Sequence, residues 1–145
     1  MCIRDRIDTY FKVDSGRLKL RQGSVETNLI YYNRPNTKSP KKSSVLLYKP
    51  NEALDLKKIL VAVHPTLCVV DKVREIYFIE NVKFHLDTVL GLGTFMEIEA
   101  IDETNEMEYG IILKQCKNYM SQLNIVEEDL ISVSYSDLVM QQISA

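Results

Sequence analysis

Tryptophan is absent from the 145 residues, and glycine (5), proline (4) and cysteine (3) are scarce. So little glycine and proline excludes a collagen-like or low-complexity chain. Cys2, Cys68 and Cys116 are odd in number and widely spaced, with no CxxC pair and no histidine at metal-ligand spacing. That pattern argues against a disulfide framework or a zinc site and makes a reducing, cytoplasmic setting the expectation. No run of about 18 apolar residues is available to span a bilayer, and the opening Met-Cys-Ile-Arg-Asp-Arg lacks the apolar stretch of a signal peptide. A GxxxxGK[ST] loop is missing as well. Gly91-Leu92-Gly93 lacks the third glycine and the strand-to-helix setting of a dinucleotide fingerprint, so it reads as a turn.

What remains is 46% apolar and 26% charged, with eight Tyr and four Phe, the composition of a single globular domain. The net charge of −2 argues against a strongly basic nucleic-acid binder. It conceals a gradient: residues 1–50 hold 11 basic and 4 acidic side chains, residues 87–145 hold 2 and 11. Residues 1–6 read as a non-native leader, similar to translated adaptor DNA joined to a truncated gene, and are set aside, leaving one domain over 7–145.

Period-two alternation of β-branched and aromatic residues predicts strands over 7–13, 17–22, 28–33, 44–48, 67–79, 82–88 and 93–101. Asp14-Ser15-Gly16 marks a hairpin, and 34–43, with Pro35 and Pro40, a solvated loop. Helical spacing of Leu56, Ile59, Leu60 and Val63 predicts a helix over 51–63 stopped by Pro65. Met107, Ile112, Cys116, Tyr119, Met120 and Leu123 predict a second over 105–123, and short helices are expected over 127–131 and 136–142, the last capped by Ser136. About seven antiparallel strands with few helices imply a mainly β (α+β) barrel or strongly curved sheet, with helices outside or at one end.

Several strands repeat charge on one face: Arg17, Lys19 and Arg21; Lys72 and Arg74; Lys83, His85 and Asp87; Glu97 and Glu99. Solvent exposure would explain any one of them. Taken together they also fit a polar lumen, with the apolar positions turned outward beneath the two amphipathic helices. Lys and Arg lining a lumen neutralise a polyanion such as triphosphate. Carboxylates there would hold Mg²⁺ or Mn²⁺, which bridges phosphate oxygens. His64 before Pro65 and His85 in a strand read as structural groups, and the tyrosines and phenylalanines as wall packing rather than a base-stacking surface.

Asp8-Thr9-Tyr10-Phe11, Gly16-Arg17-Leu18-Lys19-Leu20-Arg21, Leu29–Pro35, Lys72–Tyr77 and His85-Leu86-Asp87 through Glu97-Ile98-Glu99 occur in that order, followed by Ser134–Leu138. This ordered set resembles the CYTH family, the class IV adenylyl cyclases and thiamine triphosphatases of the triphosphate tunnel metalloenzyme fold. The resemblance implies an eight-stranded antiparallel tunnel barrel. It implies that Lys19, Arg21, Arg34, Lys72 and Arg74, with Lys83, bind triphosphate. It places Asp87, Glu97 and Glu99 at a Mg²⁺ or Mn²⁺ site. The family's Glu-x-Glu-x-Lys strand has no counterpart in this sequence, so the expectation is a barrel lacking its first strand and an N-terminally incomplete domain with little or no activity. The implied reaction is ATP to cyclic AMP and pyrophosphate, or hydrolysis of an inorganic or organic triphosphate. A non-catalytic polyphosphate- or nucleotide-binding barrel is the alternative from another class, and the charged faces argue against an apolar-ligand barrel. No nucleic acid or membrane partner is expected, and homodimerisation is left open.

Overall fold

A computed structural model describes residues 2–145. Its seven strands are β1 (Cys2–Phe11), β2 (Arg17–Gly23), β3 (Thr27–Asn33), β4 (Ser44–Tyr48), β5 (Thr66–Ile79), β6 (Val82–Val89) and β7 (Gly93–Ala100). They form one sheet in the order β4-β3-β2-β1-β5-β6-β7, every neighbouring pair antiparallel. Two meanders, β1–β4 and β5–β7, are therefore joined through the long β1–β5 pairing. The sheet is curled and open, a half-barrel with β4 and β7 as its edges. Arg34, just beyond β3, comes within 4.0 Å of Glu97 on β7, so the two arms approach each other across the inner face.

Residues 2–6, set aside on sequence grounds, belong to this fold. Cys2–Arg6 pair with Ile76–Lys72 of β5, so β1 starts five residues before the predicted boundary. Arg4 and Arg6, at alternate positions of this stretch, face inward toward Glu26. The β1–β2 turn is the predicted hairpin. Gly16 has φ +67°, and a Cβ there would lie 2.7 Å from the Tyr31 hydroxyl, so the site demands glycine twice over.

The three helices seal the sheet from different sides. Helix α1 (Ala53–Val63) connects β4 to β5 and lays Leu56 and Leu60 over Phe11, Leu18, Leu20 and Leu29 on the outer face. Ile59 and Val63, expected in its buried stripe, are exposed, because only about one turn of the apolar face meets the sheet. Helix α2 (Tyr109–Gln122) covers the outer face of β6 and β7, with Tyr119 edge-on to Phe84 at 5.0 Å and Gln115 exchanging two hydrogen bonds with Asn81. The 127–131 segment is a single turn, Glu127–Asp129. Helix α3 (Tyr135–Ser144) enters the concave side, where Tyr135, Val139 and Met140 pack on Tyr10, Ile30, Tyr32, Cys68, Val70 and Val89. Its cap is Ser134 rather than Ser136. Ser134 accepts from the Asp137 amide while Asp137 accepts from the Ser134 amide, a reciprocal box that starts the helix early. No helix among the described residues is long and apolar enough to cross a membrane.

Candidate functional site

Residues directly opposite one another in an antiparallel ladder share a face. The registers Tyr10↔Lys19, Asp8↔Arg21, Arg6↔Lys72, Arg74↔Asp87 and His85↔Glu97 therefore gather charged side chains from five strands onto the concave face. The neighbours Leu18, Leu20 and Phe84 turn outward beneath the helices. Charged side chains inside and apolar ones outside along these strands is the second of the two readings that the alternation allowed.

Arg6, Lys19, Arg21, Lys72 and Arg74 are all buried there, and the fully buried carboxylates that face them are two, Asp8 and Asp87. Asp8 takes Arg21 through both oxygens, at 2.8 and 2.9 Å, and Lys19 Nζ at 2.9 Å. Asp87 takes Arg74 in the same forked manner at 2.6 Å on each oxygen, and a hydrogen bond donated by Tyr135 Oη of α3 at 2.8 Å. Asp8 thus fixes two cations and Asp87 one, each arginine in a fork because the planar guanidinium matches two carboxylate oxygens at once. Desolvation raises the Asp87 carboxyl, but the Arg74 bonds and charge outweigh it and hold it below its usual range. The same balance keeps Asp8 well below the ordinary carboxylate range.

Lys72 is the cation left over. It is 4% exposed, its nearest carboxylate oxygen is Asp87 Oδ2 at 3.8 Å, and its ammonium makes no hydrogen bond among the described residues. It lies 4.9 Å from the centre of the Tyr135 ring. Burial, with repulsion from Arg74 and Lys19, pushes its pKa down to about 7. Lys19 is lowered to about 8, mainly by burial. Arg6 is lowered to about 10 by burial and by Arg21 and Arg74, and its Nε is buried without a hydrogen-bond partner. Its terminal nitrogen pairs with Glu26 at 2.6 Å.

Glu97 and Glu99 retain 42% and 47% of their side-chain exposure on the same face. His85 lies between them, Nδ1 at 3.3 Å from Glu97 and Nε2 at 3.5 Å from Glu99. Desolvation raises the Glu97 carboxyl, but the His85 hydrogen bond and the Arg74, His85 and Lys72 charges outweigh it and hold it far below its usual value.

Lys19, Arg21, Lys72 and Arg74 therefore come together, and Arg34 reaches the same face through Glu97. Lys83 stands apart, at the far end of β6, with its ammonium 5.8 Å from the Phe78 ring centre. Asp87, expected at the metal site, has both oxygens bonded to Arg74 and one of them to the Tyr135 hydroxyl as well. Among the described residues no three His, Cys, Asp or Glu side chains form a metal-binding group. Glu97 and Glu99 are the more accessible carboxylates, and Glu97 Oε2 also accepts from Arg74 at 2.9 Å. Two carboxylates fit the usual protein share of a Mg²⁺ site, which takes its remaining oxygens from water and substrate phosphate. Asp8, Arg6, Glu26 and Tyr135 were not singled out in the sequence as members of this cluster. For Asp8 the only signal was a lone aspartate at a strand position opposite an arginine-rich strand.

Two cavities flank the cluster at opposite ends of β5. One, of about 420 Å³, lies by α3 among Arg17, Arg34 and Asp137, where Arg17 pairs with Asp137 at 2.6 Å. The other, of about 370 Å³, lies by Phe78 and Lys83.

Known proteins share this architecture. The PH1012 protein of Pyrococcus horikoshii superposes with a TM-score of 0.80 at 23% identity, covering 95% of this chain and 84% of that one. A Vibrio parahaemolyticus structure described as a "putative adenylate cyclase" gives 0.72 at 18% identity, covering 98% and 81%. A Methanocaldococcus jannaschii protein named "putative adenylate cyclase" is 37% identical over 68 residues, 46% of this chain. The chain spans 38% of that relative's length. The sequence model of the CYTH domain matches residues 2–135, and the chain belongs to the CYTH domain family.

Proposed function

We propose that the concave face binds a triphosphate and that the protein processes nucleoside triphosphates with Mg²⁺ or Mn²⁺, as a class IV adenylyl cyclase does. The observation that carries this is the surplus of cations on the concave face: Asp8, Asp87, Glu26 and Glu97 pair with Lys19, Arg21, Arg74 and Arg6, and the buried Lys72 is left with no carboxylate closer than 3.8 Å among the described residues. Unpaired buried charge is costly, so a face built with surplus cations is completed by an anion. Membership of the CYTH family and the names of the relatives support a triphosphate as that anion.

In this reading Lys72 and Arg74 take the phosphates nearest the sheet centre. Asp87 and Asp8 hold the arginine forks rigid, so little reorganisation is required when charge moves onto the leaving pyrophosphate. Lys72, whose pKa burial and the neighbouring cations lower to about 7 in the empty site, is held protonated by the bound anion and donates from the ammonium. Tyr135 and α3 close one end of the face against water. Glu97 and Glu99 would hold the divalent cation, which when bound neutralises phosphate charge and polarises phosphorus. ATP cyclisation and triphosphate hydrolysis share these roles and differ in which oxygen attacks.

A second reading, a binding protein without turnover, is favoured by one observation: among the described residues no three His, Cys, Asp or Glu side chains are arranged to hold a metal, and His85 instead bridges Glu97 and Glu99. Product assays for cyclic AMP and phosphate, with ATP and tripolyphosphate and each metal, separate the two. Turnover that depends on metal and falls at least 100-fold in Glu97→Gln supports the enzyme. Tight binding with no product supports the second reading, and neither binding nor product refutes both.

A further inference from the structure

We infer that Glu97 is a displaceable counter-anion, which in the empty face occupies the place of a phosphate against Arg74 and Arg34 and so selects a metal-complexed triphosphate over the free anion. The inference rests on the triphosphate reading above and adds how that site chooses the form of its ligand.

Two carboxylates share the Arg74 guanidinium, and they are unlike. Asp87 takes Nε and Nη2 at 2.6 Å each, is 1% exposed and also accepts from Tyr135, so it is fixed in place. Glu97 takes Nη2 as well, at 2.9 Å, but it stands on β7, an edge strand, with 42% of its side chain exposed. Its second oxygen lies 4.0 Å from Arg34 Nη1, beyond β3 on the opposite arm of the sheet. His85 Nδ1 lies 3.3 Å from the oxygen that Arg74 binds. One mobile carboxylate therefore meets a cation at the sheet centre and a cation on the far arm. A phosphate group makes the same arrangement, because both present several oxygens to separate charged donors.

A free polyphosphate entering the face has to take Arg74 from Glu97 and then lies beside the carboxylate it displaced. Like charges that close repel strongly in a partly buried site. With a divalent cation the sign reverses, since the freed carboxylate is an oxygen ligand for the ion that accompanies the phosphates. Glu99 supplies the contrast. It carries the same charge on the same face, but its side chain meets His85 Nε2 at 3.5 Å and pairs with no arginine or lysine among the described residues.

Calorimetric titration of tripolyphosphate into the wild type, Glu97→Gln and Glu99→Gln, first without divalent metal and then with Mg²⁺, tests this. A hydrogen bond between charged groups is worth about tenfold or more in a competing equilibrium, so Glu97→Gln is expected to bind free tripolyphosphate about tenfold tighter than the wild type. Glu99→Gln is expected to stay within about threefold of the wild type, because a carboxylate without an arginine partner acts through screened solvent. With Mg²⁺ the advantage of Glu97→Gln is expected to disappear or reverse. Glu97→Ala removes the same contact and is read in the same way. A metal-free affinity of Glu97→Gln no higher than that of the wild type, an equal gain in Glu99→Gln, or an advantage that persists in Mg²⁺ would overturn the counter-anion role and leave the triphosphate site standing. Tripolyphosphate binding to none of these proteins, with or without metal, would overturn the triphosphate reading and this inference with it.

Discussion

Replacing Asp87 by asparagine separates an arginine clamp from a metal ligand. The carboxylate is fully buried, accepts two 2.6 Å bonds from Arg74 and one from Tyr135, and is the carboxylate closest to Lys72. Asparagine keeps the volume but removes the charge, and it places an NH₂ group against donors. Taking one partner from a buried ion pair costs about 3–5 kcal/mol. For a domain of this size that lowers the melting temperature by about 10 °C. The vacated positive charge then welcomes an anion, so tripolyphosphate should restore more stability to Asp87→Asn than it adds to the wild type. Thermal melts of both proteins with and without tripolyphosphate, in the absence of divalent metal, provide the assay. A variant that melts with the wild type, and loses only metal-dependent behaviour, would refute the clamp and return Asp87 to the metal site.

The depressed Lys72 pKa has two consequences. Its ordinary value is 10.5 and its folded value about 7. From pH 7 to 10.5 the unfolded chain therefore holds a proton that the folded chain lacks, and this group makes stability rise with pH across that window. Binding a polyanion at pH 8 should take up about one proton, read as a dependence of calorimetric enthalpy on buffer ionisation; no buffer dependence would count against it. Tyr135→Phe removes a hydroxyl donated to a charged acceptor, a loss of about 1.5–3 kcal/mol, and should speed amide exchange in α3 ahead of the rest of the fold. Uniform exchange would detach Tyr135 from the docking of that helix. Leu20→Ala, at a site with no exposure beneath α1, should cost about 2–5 kcal/mol in urea denaturation without altering tripolyphosphate affinity. A matching loss of affinity would show that the two faces are not independent.

The site was legible in the sequence where the information is local. Arg17-x-Lys19-x-Arg21 and Lys72-x-Arg74 are single-strand patterns, and they identified the inward face because helices with apolar stripes needed the other face to cover. The counter-ions were not legible in the same way. Asp8 meets Arg21 and Asp87 meets Arg74 through cross-strand register, which no short window of sequence contains. Asp87 illustrates this: an aspartate near Glu97 and Glu99 reads as a metal ligand, and its ion pair with Arg74 of β5 is visible only in the register. Cys2–Arg6 were set aside because Met-Cys-Ile-Arg-Asp-Arg resembles translated adaptor DNA, and their pairing with Ile76–Lys72 of β5 is again a matter of register. Lys83 shared the face of His85 and Asp87, but four residues of strand carry it away from the cation cluster.

The charge imbalance of the concave face is tested most directly by titrating tripolyphosphate, without metal, into the wild type and Lys72→Met. Lys72 has the least satisfied ammonium in the cluster, and methionine keeps its length and apolar stem. The account predicts one-to-one binding to the wild type, at least tenfold weaker binding to Lys72→Met, and a melting temperature for the variant no lower than the wild type. Equal affinity for the two proteins, with both folded, would contradict it.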